Sequence, residues 1–237
     1  LAMTRAVESM GLHADMTAGL SLGEYCAIAV AGGMCDLDAI RTVRSRGIFM
    51  EHAAPEGSGA MSAVLGMDAS VIENVLNGRE GVSIANYNCP GQIVITGEAA
   101  AVAEAGTALK EAGARRVLPL KVSGPFHSPM MRPAGEELAK VFAGVSMNPL
   151  KVPYVANINA EVITDCGRIE GLLVDQVSGS VRWQQSVETM LREGVDTFVE
   201  IGPGKTLTGF LRKIDKNVKA YHIGSWEEAV QVCEELK

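Results

Sequence analysis

The stretch Thr17-Ala18-Gly19-Leu20-Ser21-Leu22-Gly23-Glu24-Tyr25-Cys26-Ala27-Ile28-Ala29-Val30-Ala31-Gly32 decides the fold. A short segment, Asp15 to Leu20, leads into Gly19-Leu20-Ser21-Leu22-Gly23. Glu24 to Gly32 then reads as an Ala-rich buried helix. Strand, tight glycine-flanked turn and buried helix is the setting that a G-x-S-x-G nucleophile elbow requires. A serine on so sharp a turn needs small neighbours, because larger side chains would collide with the sheet and the helix. Its hydroxyl is lifted into the open at a helix N-terminus, where amides without intrahelical acceptors can stabilise an oxyanion. The N–H of Leu22 is the natural first donor. The plainer reading of the same five residues is a tight Gly-Ser turn.

Working outward, Leu1 to Met10 has helical spacing, with Met3, Ala6, Val7 and Met10 sharing a face. A second helix is expected from about Leu37 to Ala53, capped by Asp36 or Asp38. Ile40, Val43 and Met50 form its apolar stripe, and Arg46 falls at the margin of that stripe. Ala54 to Gly59 is a linker by composition. Residues 60 to 122 change rhythm. Met61–Gly66, Val82–Tyr87, Gln92–Thr96 and Arg115–Val122 read as strands, and Ala69–Leu76 and Ala99–Ala112 as helices. The order β-α-β-β-α-β is the split ferredoxin-like motif.

Beyond it comes Ser123-Gly124-Pro125-Phe126-His127-Ser128-Pro129, a proline-stiffened loop. A helix from Met131 to Phe142 and a strand from Val152 to Ala156 follow. Ile169–Val177, Trp183–Gly194 and Leu207–Ile214 read as helices, and Thr197–Ile201 as a strand. The expected fold class is α/β. An α/β-hydrolase-like catalytic domain, residues 1–59 and 123–237, surrounds a mostly parallel sheet, and a ferredoxin-like small domain of residues 60–122 is inserted into it.

Composition narrows the function. The 237 residues are 47% hydrophobic and 21% charged, which is globular composition. A net charge of −7 argues against a nucleic-acid surface, which needs a basic footprint. Five cysteines without a CxxC pair suggest neither a disulfide framework nor a zinc site, and a reducing cytoplasm is the simplest compartment. No apolar run is long enough for a membrane span.

A nucleophilic serine needs a base, and the chain has four histidines. His13, His52 and His222 lie in less favourable settings. His127 sits between prolines on a loop that follows a strand and precedes a helix, where catalytic groups concentrate. The alternative is a loop histidine that satisfies local backbone.

Together these segments resemble the malonyl-CoA:acyl carrier protein transacylase family of acyltransferases. Gly19-Leu20-Ser21-Leu22-Gly23-Glu24-Tyr25 is similar to its nucleophile motif. Arg44-Ser45-Arg46-Gly47 resembles its substrate-arginine helix, and Gly124-Pro125-Phe126-His127-Ser128 its histidine loop. Asp175-Gln176-Val177 with Val181-Arg182-Trp183 resembles the segment whose glutamine carbonyl orients the histidine. Glu200 to Lys205 resembles its Gly-Pro-Gly turn. The motifs occur in the family's order over nearly the whole chain.

The resemblance implies ping-pong transfer of a malonyl group from malonyl-CoA to the phosphopantetheine thiol of acyl carrier protein, in fatty acid biosynthesis. Ser21 is then the nucleophile, His127 the base and Leu22 an oxyanion donor. The Gln176 carbonyl fixes the histidine tautomer, and Arg46 clamps the malonyl carboxylate. Phe126 limits space at the acyl α-carbon, and Leu20, standing where the family usually has histidine, shapes the site. Asn86, Asn88 and Gln92 either contact substrate or, as their types favour, form turns around Pro90-Gly91. No cofactor is implied, and the protein is expected to act as a monomer. The carrier protein is expected to dock on Lys110, Arg115, Arg116 and Lys121, or on Lys205, Arg212 and Lys213.

The family's N-terminal Gly-Gln-Gly-x-Gln segment, source of a second oxyanion donor, has no counterpart here, so an N-terminal part is expected to be missing. An acyltransferase of a polyketide-type system, a generic serine esterase and a degenerate carrier-binding module are the competing readings.

Overall fold

The structure, a computed structural model, describes residues 1–236. In chain order the elements are α1 (Ala2–Ser9), β1 (Thr17–Ala18), α2 (Leu22–Val30) and α3 (Asp36–His52). They continue with β2 (Gly59–Leu65), α4 (Ala69–Leu76), β3 (Val82–Cys89), β4 (Gln92–Glu98), α5 (Ala99–Glu111) and β5 (Arg116–Pro119). The last part holds α6 (Arg132–Phe142), β6 (Tyr154–Val155), β7 (Val162–Ile163), α7 (Ile169–Ser178), α8 (Trp183–Arg192), β8 (Thr197–Ile201), α9 (Thr206–Ile214), β9 (Lys219–Ile223) and α10 (Trp226–Glu235).

The middle segment forms a four-stranded antiparallel sheet in the order β3-β4-β2-β5. The two-residue period of its strands explains its two faces. Val64, Ile93 and Ile95 pack with Ile72 of α4 and Leu109 of α5. Met61, Ala63, Ala85 and Val94 point the other way and pack against Phe126. Strand β3 breaks the period. Register shifts between Ile84 and Asn86, and between Tyr87 and Cys89, let Ile84 and Tyr87 share one face although they are three residues apart. Asn86 therefore lies inside a bulged strand and not in the Pro90-Gly91 turn, which corrects the turn-forming expectation for this residue.

The flanking parts hold a separate core of Tyr25 and Ile28 from α2, Met50 from α3, Leu138 and Phe142 from α6, and Leu173 and Val177 from α7. A mostly parallel sheet was expected here. The assigned strands instead form a three-stranded mixed sheet, with β1 parallel and β7 antiparallel to β6, and a separate parallel pair, β8 and β9. The reason is length. Strands β1, β6 and β7 hold two residues each, so the chain turns away before a wider ladder forms.

The cap of α3 also differs from expectation. Cys35 Sγ accepts from Asp38 N at 3.3 Å, while the carboxylate of Asp36 is held by Arg5. Helix α10, which the sequence reading did not anticipate, is capped by Ser225 and packs through Val232 and Cys233 with Val7 of α1. No helix among the described residues is long and apolar enough to cross a membrane.

Candidate active site

Ser21 is the N-cap of α2, with φ 51° and ψ −101°. A non-glycine residue in that region is strained and persists only where its surroundings hold it. Gly23 N donates to Leu20 O at 2.9 Å, and Ser21 N donates to the side chain of Asn157 at 2.6 Å. The two glycines of the motif play unequal parts. A Cβ on Gly19 would run into the carbonyl group of Gly23, whereas one on Gly23 would meet nothing within 4 Å. Only Gly19 is demanded by sterics, which corrects the symmetrical expectation.

His127 is the second strained residue, with φ 59°. Its loop is fixed by Ser128 Oγ donating to Pro125 O at 2.6 Å, and Pro125 fits against Gly59, where no Cβ has room. The imidazole is buried, 106 residues along the chain from Ser21. Its Nδ1 lies 2.9 Å from Gln176 O and its Nε2 2.8 Å from Ser21 Oγ. A carbonyl can only accept, so Nδ1 carries the proton and Nε2 is the acceptor facing the hydroxyl. Burial, reinforced by the positive charge of Arg46, pulls His127 down to about 4, so the ring is neutral at physiological pH.

Arg46 is 6% exposed, which replaces the expected position at the margin of a helical face. Its Nη2 donates to Ser21 Oγ at 3.0 Å and to Gln176 Oε1 at 3.1 Å, and its guanidinium stands 5.7 Å from the ring centre of Tyr25. The Nε is buried without a hydrogen-bond partner, and among the described residues Arg46 enters no ion pair. A buried guanidinium with an orphaned donor is a ready receptor for a carboxylate.

Beneath these groups lies a layer that sequence reasoning missed in part. Gln176 was expected to act through its carbonyl alone. Its side chain also donates to Ser21 O at 2.9 Å and to Glu24 Oε2 at 2.7 Å. Glu24 is fully buried, and burial raises its carboxyl to about 8 against the opposing pull of Gln176, Asn157 and Arg46. A lone carboxylate in an Ala-rich helix was the available signal. Asn157, directly after the strand-like run Val152–Ala156, carried only a weak one: polar residues at the carboxyl ends of α/β strands tend to serve sites.

Leu22 opens α2, so its N–H belongs to the turn with no intrahelical acceptor, while its side chain is 53% exposed. Leu20 packs with Trp183 and Phe210. Phe126 is wedged between the small sheet and the main core. Asn86 and Asn88 line a cavity of about 1270 Å³ that also touches Gly19, Leu20 and Leu22 but whose lining does not include Ser21, His127 or Arg46. Gln92 receives a hydrogen bond from Lys213 at 3.1 Å.

The sequence model of the acyl transferase domain matches residues 1–232. The chain belongs to the acyl transferase family. It is 43% identical to a malonyl CoA-acyl carrier protein transacylase of Bacillus subtilis, over 100% of this chain and 76% of that protein. An acyl-carrier-protein S-malonyltransferase of Burkholderia pseudomallei superposes with a TM-score of 0.95 at 38% identity, covering 98% of this chain and 77% of that one. A malonyl-transacylase solved in complex with its type II PKS acyl-carrier protein gives 0.93 at 38% identity, covering 99% and 77%. Chemically, the arrangement offers a hydroxyl, an unprotonated ring nitrogen facing it and a backbone carbonyl that fixes the ring's tautomer, with no acidic side chain bonded to that ring among the described residues.

Proposed function

We propose that this acyl transferase moves a malonyl group from malonyl-CoA to the phosphopantetheine thiol of acyl carrier protein, in fatty acid biosynthesis, through an ester on Ser21. One observation carries the reading: Ser21 Oγ is 2.8 Å from a neutral imidazole and 3.0 Å from a buried guanidinium. The malonyl carboxylate and the thioester carbonyl share a single methylene. A cation that holds the carboxylate must therefore stand within a few ångströms of the nucleophile, and Arg46 does.

His127 Nε2 takes the Ser21 proton as Oγ attacks the thioester carbonyl carbon. The oxyanion faces the N–H of Leu22. As the tetrahedral intermediate collapses, the carbon–sulfur bond breaks and the coenzyme A sulfur takes the proton from His127. The carrier's thiol then enters, gives its proton to the same ring and repeats the steps in reverse. Malonyl-CoA is the substrate, and this chemistry runs on protein groups and the thioester with no cofactor. Arg46 exchanges its contact with Oγ for two parallel hydrogen bonds to the carboxylate. Phe126 crowds the acyl α-carbon.

All of these groups come from one chain, which fits action as a monomer, and five free thiols suit a reducing cytoplasm. The fold fits an α/β-hydrolase-like catalytic domain of residues 1–59 and 123–237 with a ferredoxin-like insert of residues 60–122. The strand order β3-β4-β2-β5 and the two helices on one face support the ferredoxin-like part of that assignment, while the hydrolase-like part rests on the serine turn at the N-terminus of α2, since the flanking strands are short and mixed.

Intact mass after incubation with malonyl-CoA tests the reading. The wild-type chain gains one malonyl group and passes it to the carrier thiol in preference to water, and Ser21→Ala gains none. Arg46→Ala loses malonyl transfer by ~10²-fold or more while acetyl transfer falls far less. Equal loss of both would remove the carboxylate-binding role.

A further inference from the structure

We propose that Asn157 is a positioning residue for the nucleophile, a side chain that extends the β1–β6 ladder past its end and locks the strained turn at Ser21. This rests on the reading of Ser21 as the nucleophile.

Strands β1 and β6 run parallel, with Thr17 opposite Tyr154 and Ala18 opposite Val155. One strand continues into the elbow and the other into Asn157. In a parallel ladder, one residue's peptide groups bond to the two residues that flank its partner. The Asn157 amide reproduces this pattern with a side chain. Its Nδ2 donates to Gly19 O at 2.8 Å and its Oδ1 accepts from Ser21 N at 2.6 Å, so it spans Leu20. The residue is fully buried and is itself held on both sides. Its N–H donates to Glu24 Oε2 at 3.3 Å, and its carbonyl accepts from Arg182 N at 2.9 Å.

No other side chain in the described structure bonds to Ser21 N or Gly19 O. Asparagine is suited to the place because it supplies one acceptor and one donor on a single planar group. An aspartate keeps the acceptor but sets an oxygen against the Gly19 carbonyl. Backbone at φ 51° relaxes unless it is restrained. Movement of about 1 Å at a nucleophile costs ~10²-fold in rate.

The test measures two reactions of Ser21 in Asn157→Ala and Asn157→Asp. One is acylation by malonyl-CoA, followed by intact mass. The other is phosphonylation by a fluorophosphonate probe, which needs an activated serine but neither malonyl nor coenzyme A. Both rates are expected to fall ~10–100-fold, with KM for malonyl-CoA within about twofold of wild type because Arg46 is untouched. Wild-type rates in both folded variants, or a raised KM with kcat unchanged, would overturn the proposal. Should the alanine variant not fold, the near-isosteric aspartate decides. Loss of fold in both would assign Asn157 to stability and end the positioning role. A wild-type chain that reacts with the probe but not with malonyl-CoA removes the substrate assignment and leaves the Asn157 proposal open to the same rate comparison. Failure of both reactions removes the nucleophile, and this proposal with it.

Discussion

In the proposed reaction the hydroxyl of Ser21 lies between a ring that takes its proton, 2.8 Å away, and a guanidinium, 3.0 Å away, that favours its ionised form. That division works only while His127 is neutral. Burial and the charge of Arg46 place its titration at about 4, well below the ordinary range. The acid limb of kcat/KM for acylation is therefore expected at about 4, and a limb near 6.5 would mean that the ring is solvated in the free enzyme. Glu24 has the opposite shift, up to about 8. Its folded state binds a proton more tightly than the unfolded chain does, so its contribution to stability is complete below about pH 4.5 and is lost as pH rises through about 8. Between about pH 7.5 and 8.5, His127 is neutral in both states and adds no slope. Urea midpoints over that interval should fall for wild type and stay flatter for Glu24→Gln, and parallel slopes would show that Glu24 is not the group titrating.

At the scale of elements, the elbow is a close approach of backbone to backbone at one glycine only. Gly19→Ala should abolish acylation, because its Cβ would meet the Gly23 carbonyl and lie 2.7 Å from Glu24 N. Gly23→Ala should keep activity and add about 0.5–1 kcal/mol from better helix propensity in α2. Thermal melts and acylation rates on the pair check this, and equal damage from both would refute the contrast. The elbow was legible because its pattern is local, a serine at a fixed offset from glycines and then an apolar helix. The strands of the small sheet were legible because their alternation and turns are local too. The strand pairing around the site was not. Two-residue strands have no periodicity to read, and the bulge that brings Ile84 and Tyr87 to one face is set by the partner strand. Asn157 and the side chain of Gln176 escaped for the same reason. Each gains its meaning from bonds to residues more than 130 positions away, across the β1–β6 ladder and the α2–α7 contact.

At the scale of the molecule, the segment just before α8 joins the small sheet to the site. Ser180 Oγ donates to Ile84 O at 2.5 Å, Val181 N donates to Ala85 O at 2.8 Å, and Tyr87 N donates back to Val181 O at 2.9 Å. The next residue, Arg182, donates through its N–H to Asn157 O and lays its guanidinium 5.5 Å from the ring centre of Tyr87. One short extended segment thus continues the bulged edge of β3 and also supports the residue that holds Ser21. Substituting Val181→Pro deletes the donor to Ala85 O without adding a charge or opening a large void. If the two units work as one body, the variant should show faster amide exchange in β3 together with ~10-fold or greater loss of kcat, although residue 181 makes no hydrogen bond to Ser21 or His127. A variant with loosened β3 and full turnover would show that the small sheet is a passenger to the chemistry. Lost turnover with unchanged exchange in β3 would place the effect in the link from Arg182 to Asn157, and a conservative Arg182→Lys change, which keeps the backbone donor, should then leave the rate intact.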